Sequence, residues 1–387
     1  MGTYPIFHYH PTMPAADAVA LTRSLLQFET VNPPGREREC AQRAGAMLEE
    51  WGFRVEYHEY AEGRTSVIAR AGGSDAKAPL VMTGHLDVVP LGTRKWLHDA
   101  FSGETDGDKL YGRGSSDMKA GVAAMLVAAR AFGKKLEGTA GITLVLTAGE
   151  EGGCIGSQKL AAEPALMRNA GAIVVGEPTS NYPLVGHKGS IKFHATFRGV
   201  SAHGSMPQLG VNAVYAAARA VTKLEGFSFG AKPHAVMGTP TLNVGTFEGG
   251  SGINLVPDAA SIGVDIRTVP GMDHAALVAR LRELLGKDTE LDIVSDLAPV
   301  WTAPGVEWVQ RVFDICEPAL GEAPVPRTAP YMTDAANLLK VYAGAPTVIL
   351  GPGEAAMAHQ TDEYCSMERI RQSVALYEAI IEDWIKK

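Results

Sequence analysis

The chain has 387 residues, 46% of them hydrophobic and 20% charged, which is enough for two globular domains and excludes a disordered chain of low hydropathy. Its net charge of −8 comes without a basic stripe, which excludes a nucleic-acid footprint, and no window approaches the roughly 18 consecutive apolar residues of a membrane span. Small molecules are the expected partners, with no nucleic acid and no membrane among them. The first residues, Met1 to Pro14, carry His8, His10 and three prolines where an export leader would have a basic start and an apolar run, so no such leader is expected. Four scattered cysteines, Cys40, Cys154, Cys316 and Cys365, form no CxxC pair and suit a reducing cytoplasm.

Helical spacing from Ala15 to Glu50, interrupted at Asn32-Pro33-Pro34-Gly35, predicts two helices before the first strand. Phe53 to Tyr60 alternates as a strand, and Leu80-Val81-Met82 reads as a short buried strand ending near Gly84. Ser115 to Phe132 has helical spacing, while Gly141–Thr147 and Ala172–Val175 read as further buried strands, so this part is an α/β sandwich. From Ile191 to Arg198 apolar and polar residues alternate as in a strand with one wet face. A helix at Asn212–Leu224, strands at Thr241–Phe247 and Ala260–Arg267, a helix at His274–Leu285 and a strand at Glu290–Asp296 complete a βαββαβ order. The buried pattern then resumes with a helix at Val306–Glu317, a strand at Thr347–Leu350 and a closing helix at Glu368–Ile385. The expected division is therefore a discontinuous α/β/α domain, residues 1–188 and 299–387, with residues 189–298 inserted as a ferredoxin-like βαββαβ domain.

Five segments set acids and histidines at or just after apolar strands: Gly84-His85-Leu86-Asp87, Gly114 to Lys119, Gly149-Glu150-Glu151-Gly152, Val175 to Thr179, and Ala358-His359-Gln360. In open α/β sheets the ligand crevice lies beyond the carboxyl ends of the strands, so such loops can converge. Imidazole and carboxylate suit zinc, cobalt or manganese, whereas a cluster of acids without a cation repels itself. Each segment alone has a plainer reading. A histidine after a strand is more often a loop residue than a ligand, and Gly-Glu-Pro-Thr is most often a helix start. Two carboxylates between glycines directly after a buried strand, however, make an unusual surface.

Together, GHLDVVP, YGRGSSDMKAG, TAGEEGG, GEPTS, and GPG followed by AHQTDEY resemble the metallopeptidase and deacylase family that contains acetylornithine deacetylase, succinyl-diaminopimelate desuccinylase, aminoacylase and carboxypeptidase G. The likeness runs in order from about Leu21 to the C-terminus. It implies a di-metal aminopeptidase-like catalytic domain and two divalent ions per subunit, zinc first, with cobalt or manganese able to substitute. The implied ligands are His85, Asp117, Glu151, Glu177 and His359, with Asp117 bridging, in the sets His85, Asp117, Glu177 and His359, Asp117, Glu151. Asp87 matches an acid that receives the other ring N–H of His85 and fixes its tautomer. Glu150 matches the general base that takes a proton from a water acidified between two cations, cleaving a C–N bond without a covalent intermediate. The resemblance also implies a cis peptide after Asp117.

Within the inserted segment, His203 of Gly199 to Ser205 matches a residue that reaches the partner subunit's active site and bonds the oxyanion. Taken alone it reads as an exposed turn histidine. Arg267 matches a side chain that binds the substrate carboxylate, for which a planar guanidinium is suited, and Asn254 matches a substrate-facing polar position. The Gly351-Pro352-Gly353 loop could offer N–H groups to that carboxylate, or could be a simple turn. Trp96 to Phe101 and Met332 depart from the family's usual residues and bear on the pocket rim and specificity. His8, His10, His58, His187, His194, His234 and His274 match no ligand motif. The expected protein is a homodimer that hydrolyses an N-acyl amino acid or dipeptide. The alternatives are a hydrolase of another C–N bond, in an aryl amine or amidine, and a non-catalytic binding relative, against which an intact Glu150 counts.

Overall fold

The computed structural model describes residues 17–74 and 76–386, so His8 and His10 lie outside the described residues. The chain forms two compact units. The first comprises Met1–Ala148, Gly176–Asn181 and Leu350–Lys387, and the second comprises Gly149–Val175 and Tyr182–Ile349.

In the first unit, strands Arg54–Ala61, Arg64–Ala71, Ile142–Thr147 and Leu80–His85 lie side by side in that order. Arg64–Ala71 is antiparallel to both of its neighbours, and Leu80–His85 runs parallel to Ile142–Thr147. Both of the last two are buried along their whole length, as continuous apolar runs require. Arg64–Ala71 was not anticipated. It pairs back on Arg54–Ala61 through a hairpin turned at Gly63, whose φ of +76° is one that glycine adopts at no steric cost. Helix Ala120–Phe132 is rich in Ala and Gly, almost wholly buried, and packs against helices Ala18–Leu26 and Met367–Lys386. It starts five residues later than helical spacing suggested. Gly114 to Lys119 instead make one wide turn, closed by the Lys119 N–H on the Gly114 carbonyl at 2.7 Å, in which Asp117 and Met118 leave helical φ/ψ. A small sheet orders Tyr364–Ser366, Lys109–Tyr111 and Thr105–Asp106, seating the segment after His359 beside the one before Asp117.

The second unit contains the βαββαβ succession: strand Gly189–Arg198, helix Ala213–Glu225, strands Thr241–Gly249 and Ala259–Thr268, helix His274–Leu285 and strand Glu290–Leu297. The strands order as Thr241–Gly249, Ala259–Thr268, Gly189–Arg198, Glu290–Leu297, with every neighbour antiparallel. Alternation puts Ile191, Phe193, Ala195 and Phe197 against the two helices through Ala213, Ala217, Leu277 and Leu281, leaving the other face wet. Asn212 and Asp273 cap the helices by accepting the N–H groups of Tyr215 and Ala276. The same unit holds the parallel pair Ala172–Val175 and Thr347–Ile349. Helices Ile155–Ala161 and Ala335–Val341 were not anticipated, because seven residues carry too little period to register. Among the described residues no helix is long and apolar enough to cross a membrane. All four cysteines are buried, and none forms a disulfide.

Candidate metal centre

His85 closes a fully buried strand and is itself 1% exposed. Its Nδ1 lies 2.9 Å from the carbonyl oxygen of Asp87, while the nearer carboxylate oxygen of Asp87 stands at 3.7 Å. The main-chain carbonyl is thus the closer acceptor for the Nδ1 hydrogen, where the resemblance pointed to the carboxylate. Asp87, fully buried, accepts from the Asn32 side-chain amide at 2.8 Å. On the far side of the ring, Nε2 faces two acids: Asp117 Oδ1 at 3.1 Å and Glu177 Oε1 at 3.8 Å. The other oxygen of Asp117 lies 3.4 Å from His359 Nε2. One carboxylate therefore stands between two imidazoles, with a second acid beside the first imidazole. The Asp117–Met118 peptide is cis.

Burial by itself would raise the Asp117 carboxyl, but hydrogen bonds from His359 and His85 outweigh it and hold the group well below the ordinary carboxylate range. The donor set fits a divalent ion of borderline hardness: imidazole nitrogens and carboxylate oxygens, with His85 and Asp117 among the groups able to hold a cation. Glu177, 4% exposed, sits on a loop whose Gly176 N–H bonds the Thr83 carbonyl at 2.9 Å, which fixes it beside the His85 strand. His359 is more open, its side chain 54% exposed. The Gly351 N–H is engaged with the Thr179 hydroxyl at 3.1 Å, so that donor belongs to the turn.

Two residues outside the expected ligand set hold this arrangement. Glu363 is fully buried and accepts N–H groups from Gly114, Ser116 and Asp117, and Arg113 donates to it at 2.6 Å. Burial raises the Glu363 carboxyl to about 7, against the pull of Arg113. Both residues lie inside quoted motifs, YGRGSSDMKAG and AHQTDEY, so the signal was present. Lys119, also fully buried, gives its ammonium group to the carbonyls of Leu25 and Phe28 at 3.0 and 2.8 Å.

In the second unit, Glu150 and Glu151 are half-buried in a tight turn in which the N–H groups of Gly153 and Cys154 both bond the Glu150 carbonyl. The Cys154 thiol meets Glu150 Oε1 at 3.3 Å. His203 is exposed, its Nδ1 2.8 Å from the Ser205 hydroxyl. The Gly204 N–H bonds the Asn254 carbonyl at 2.7 Å, so the His203 and Asn254 loops are adjacent. Arg267, half-buried on its strand, pairs with Asp265 at 2.9 Å. His187 is fully buried between the Lys188 carbonyl and the Thr333 hydroxyl, and burial lowers it to about 4, so it is neutral at pH 7.

Imidazoles and acids gathered on loops at strand ends of a mixed α/β unit, in a chain that also carries a βαββαβ sheet, define a metal-dependent hydrolase. Residues 81–383 match the model of Peptidase family M20/M25/M40, and the chain belongs to that family of amide-bond hydrolases. It is 30% identical over 351 residues to an acetylornithine deacetylase of Proteus mirabilis, covering 87% of each chain. It is 28% identical over 407 aligned positions to a probable succinyl-diaminopimelate desuccinylase of Staphylococcus epidermidis, covering 96% of this chain and 98% of that one. Its fold is similar to that of an M20 family metallo-carboxypeptidase from Sulfolobus solfataricus, with a TM-score of 0.80, 18% identity, and coverage of 96% of this chain and 99% of that one.

Proposed function

We propose that the protein is a co-catalytic di-metal hydrolase that cleaves the amide bond of a small carboxylate-bearing substrate, an N-acyl amino acid or a dipeptide. The reading rests on one observation above all, the Asp117 carboxylate set between the imidazoles of His85 and His359 with Glu177 alongside. Such a bridge is what two neighbouring cations require. His85, Asp117 and Glu177 would hold one ion, and His359, Asp117 and Glu151 the other, with zinc the first choice. When bound, the ions supply acidification of a water and polarisation of the substrate carbonyl.

The rest falls to side chains. Glu150, which is not a ligand in this scheme, takes the proton of the attacking water and returns it to the leaving amine. Arg267 receives the substrate carboxylate in planar contact, with Asn254 beside it, and His203 donates a hydrogen bond to the oxyanion. Residues 189–298 serve as the lid and dimerisation domain, with residues 1–188 and 299–387 as the catalytic domain. The exposed apolar side chains of Val200, Met206, Leu209, Val211, Tyr215 and Phe247, around one helix and the sheet's edge strand, support a homodimer contact there. The test is turnover of zinc-, cobalt- or manganese-loaded protein on N-acetyl, N-succinyl and N-carbamoyl amino acids, dipeptides and aromatic amines, with elemental analysis alongside. Two ions per chain and hydrolysis of a carboxylate-bearing amide are expected. Activity confined to aromatic amines, or one tight ion with no gain on adding a second, would overturn the reading.

A further inference from the structure

The three ligands His85, Asp117 and His359 come from segments far apart in sequence, and something must set their spacing before any cation arrives. One buried ion pair touches the backbone of all three segments. Glu363 Oε1 accepts the N–H groups of Ser116 and Asp117 at 2.8 and 3.0 Å, and Oε2 accepts that of Gly114 at 3.1 Å. Both carboxylate oxygens are thus spent on the turn that carries Asp117. Arg113 Nη1 donates to Glu363 Oε2 at 2.6 Å and to the Gln360 carbonyl, next to His359, at 3.2 Å. Its Nη2 donates to the carbonyl of Pro90, in the segment that follows His85 and Asp87, at 3.2 Å. Arg113 is 1% exposed and Glu363 is fully buried.

We propose that Glu363 and Arg113 are positioning residues that hold the Asp117 turn, the His359 loop and the segment after His85 in the spacing a metal pair needs, and that neither is a ligand. The proposal rests on the metal-centre reading above. A carboxylate that accepts three main-chain N–H groups and an arginine fork that reaches two further loops are more than a stability device. Buried ion pairs seldom add net stability over apolar residues of similar size. Groups that orient ligands from behind, by contrast, change metal affinity by about 10–100-fold when altered. Glutamine at 363 would turn an NH2 toward main-chain donors, and lysine at 113 would lack the fork to serve Glu363 and the carbonyls together.

The experiment compares wild type, Glu363→Gln, Arg113→Lys and the double variant Arg113→Met with Glu363→Met. Three readouts are taken: the melting temperature of metal-free protein, amide exchange at Ser116 and Asp117 in metal-free protein, and zinc affinity by chelator competition. Zinc should bind about 10–100-fold more weakly to each variant, and exchange at the two amides should quicken about tenfold or more. In the double variant, which leaves no charge unpaired, the melting temperature should recover while zinc affinity and amide protection do not. A double variant that regains both overturns the proposal, as does Glu363→Gln with wild-type affinity and protection. Should Glu363→Gln fail to fold, the double variant decides. A wild type that binds no zinc sinks the metal-centre reading instead, and the amide exchange still judges the clamp.

Discussion

Gly121 offers a perturbation whose effect can be worked from distances. It lies in the first turn of helix Ala120–Phe132 with ordinary helical φ, so alanine there is locally favourable by up to about 1 kcal/mol. Its Cβ, however, would stand 2.2 Å from the Gly176 carbonyl oxygen and 3.1 Å from the carbonyl carbon, both main chain. To reach even 3.0 Å, the Gly176 peptide must retreat by about 0.8 Å. The next residue is Glu177, whose Oε1 lies 3.8 Å from His85 Nε2. Metal–ligand distances tolerate only about 0.2 Å, so in the ligand set proposed above this displacement would take Glu177 out of reach of an ion held by His85 and Asp117. Overpacking of this kind costs about 1–3 kcal/mol, offset in part by the helix gain, which for a chain of this size corresponds to a fall in melting temperature of roughly 1–4 °C. Gly121→Ala should therefore lower the melting temperature modestly and weaken zinc binding by about 10–100-fold. Calorimetry of metal-free protein and chelator competition measure the two effects. Gly305→Ala, where an added Cβ meets nothing, is the control expected to change neither. Wild-type zinc affinity in a Gly121→Ala protein that is measurably destabilised would refute the reasoning, since the clash would then have been relieved without moving a ligand.

Glu150→Gln should retain its metals while turnover falls by about 10²–10⁴-fold, whereas Glu151→Ala should lose metal first; elemental analysis beside steady-state kinetics separates the two. The His187 imidazole drops from an ordinary 6.5 to about 4 on folding because burial penalises the cation, so between those values the unfolded chain binds a proton that the folded chain refuses. Stability should thus be intact above pH 6.5 and decline by roughly 3 kcal/mol as pH falls toward 4, and His187→Gln should remove that slope in denaturant titrations. Mixing His203→Ala with Glu150→Ala under proven subunit exchange should restore activity if His203 serves the partner's site, and no recovery would assign it to its own subunit or to no catalytic role.

The elements legible in the sequence are those long enough to show a period or buried enough to read as an apolar run. Helix His274–Leu285 and strand Ile142–Thr147 were placed within a residue or two, and the βαββαβ order was read in full. Arg64–Ala71 escaped because its buried stretch is framed by arginines, and those arginines satisfy themselves locally. Arg64 forks onto the buried Glu37, and Arg70 meets Glu56 across the hairpin. Their charge is a record of pairing that single-strand periodicity does not contain. The wide turn at 114–119 was read as helix for a related reason. Its spacing is helical, yet Glu363, some 250 positions away, binds the N–H groups that a helix would use.

The site shows the same division between what a residue type announces and what only contact reveals. Histidines and acids after buried strands declare themselves, because a strand end has little structural use for them, and the cluster of His85, Asp117, Glu177 and His359 was drawn from four such places. Glu363 sits in the same motif as His359, four residues on, with the same donor atoms as any ligand. Composition and spacing could as well have made it a ligand. What removes it from that role is a count of its oxygens: Oε1 accepts two main-chain N–H groups, and Oε2 accepts a third and a guanidinium. A carboxylate so occupied has no lone pair well placed for a cation, whereas Asp117 turns each oxygen toward an imidazole whose proton can yield to a metal ion. What already fills the acceptor positions of the two carboxylates is thus a property of the folded chain that residue identity leaves open.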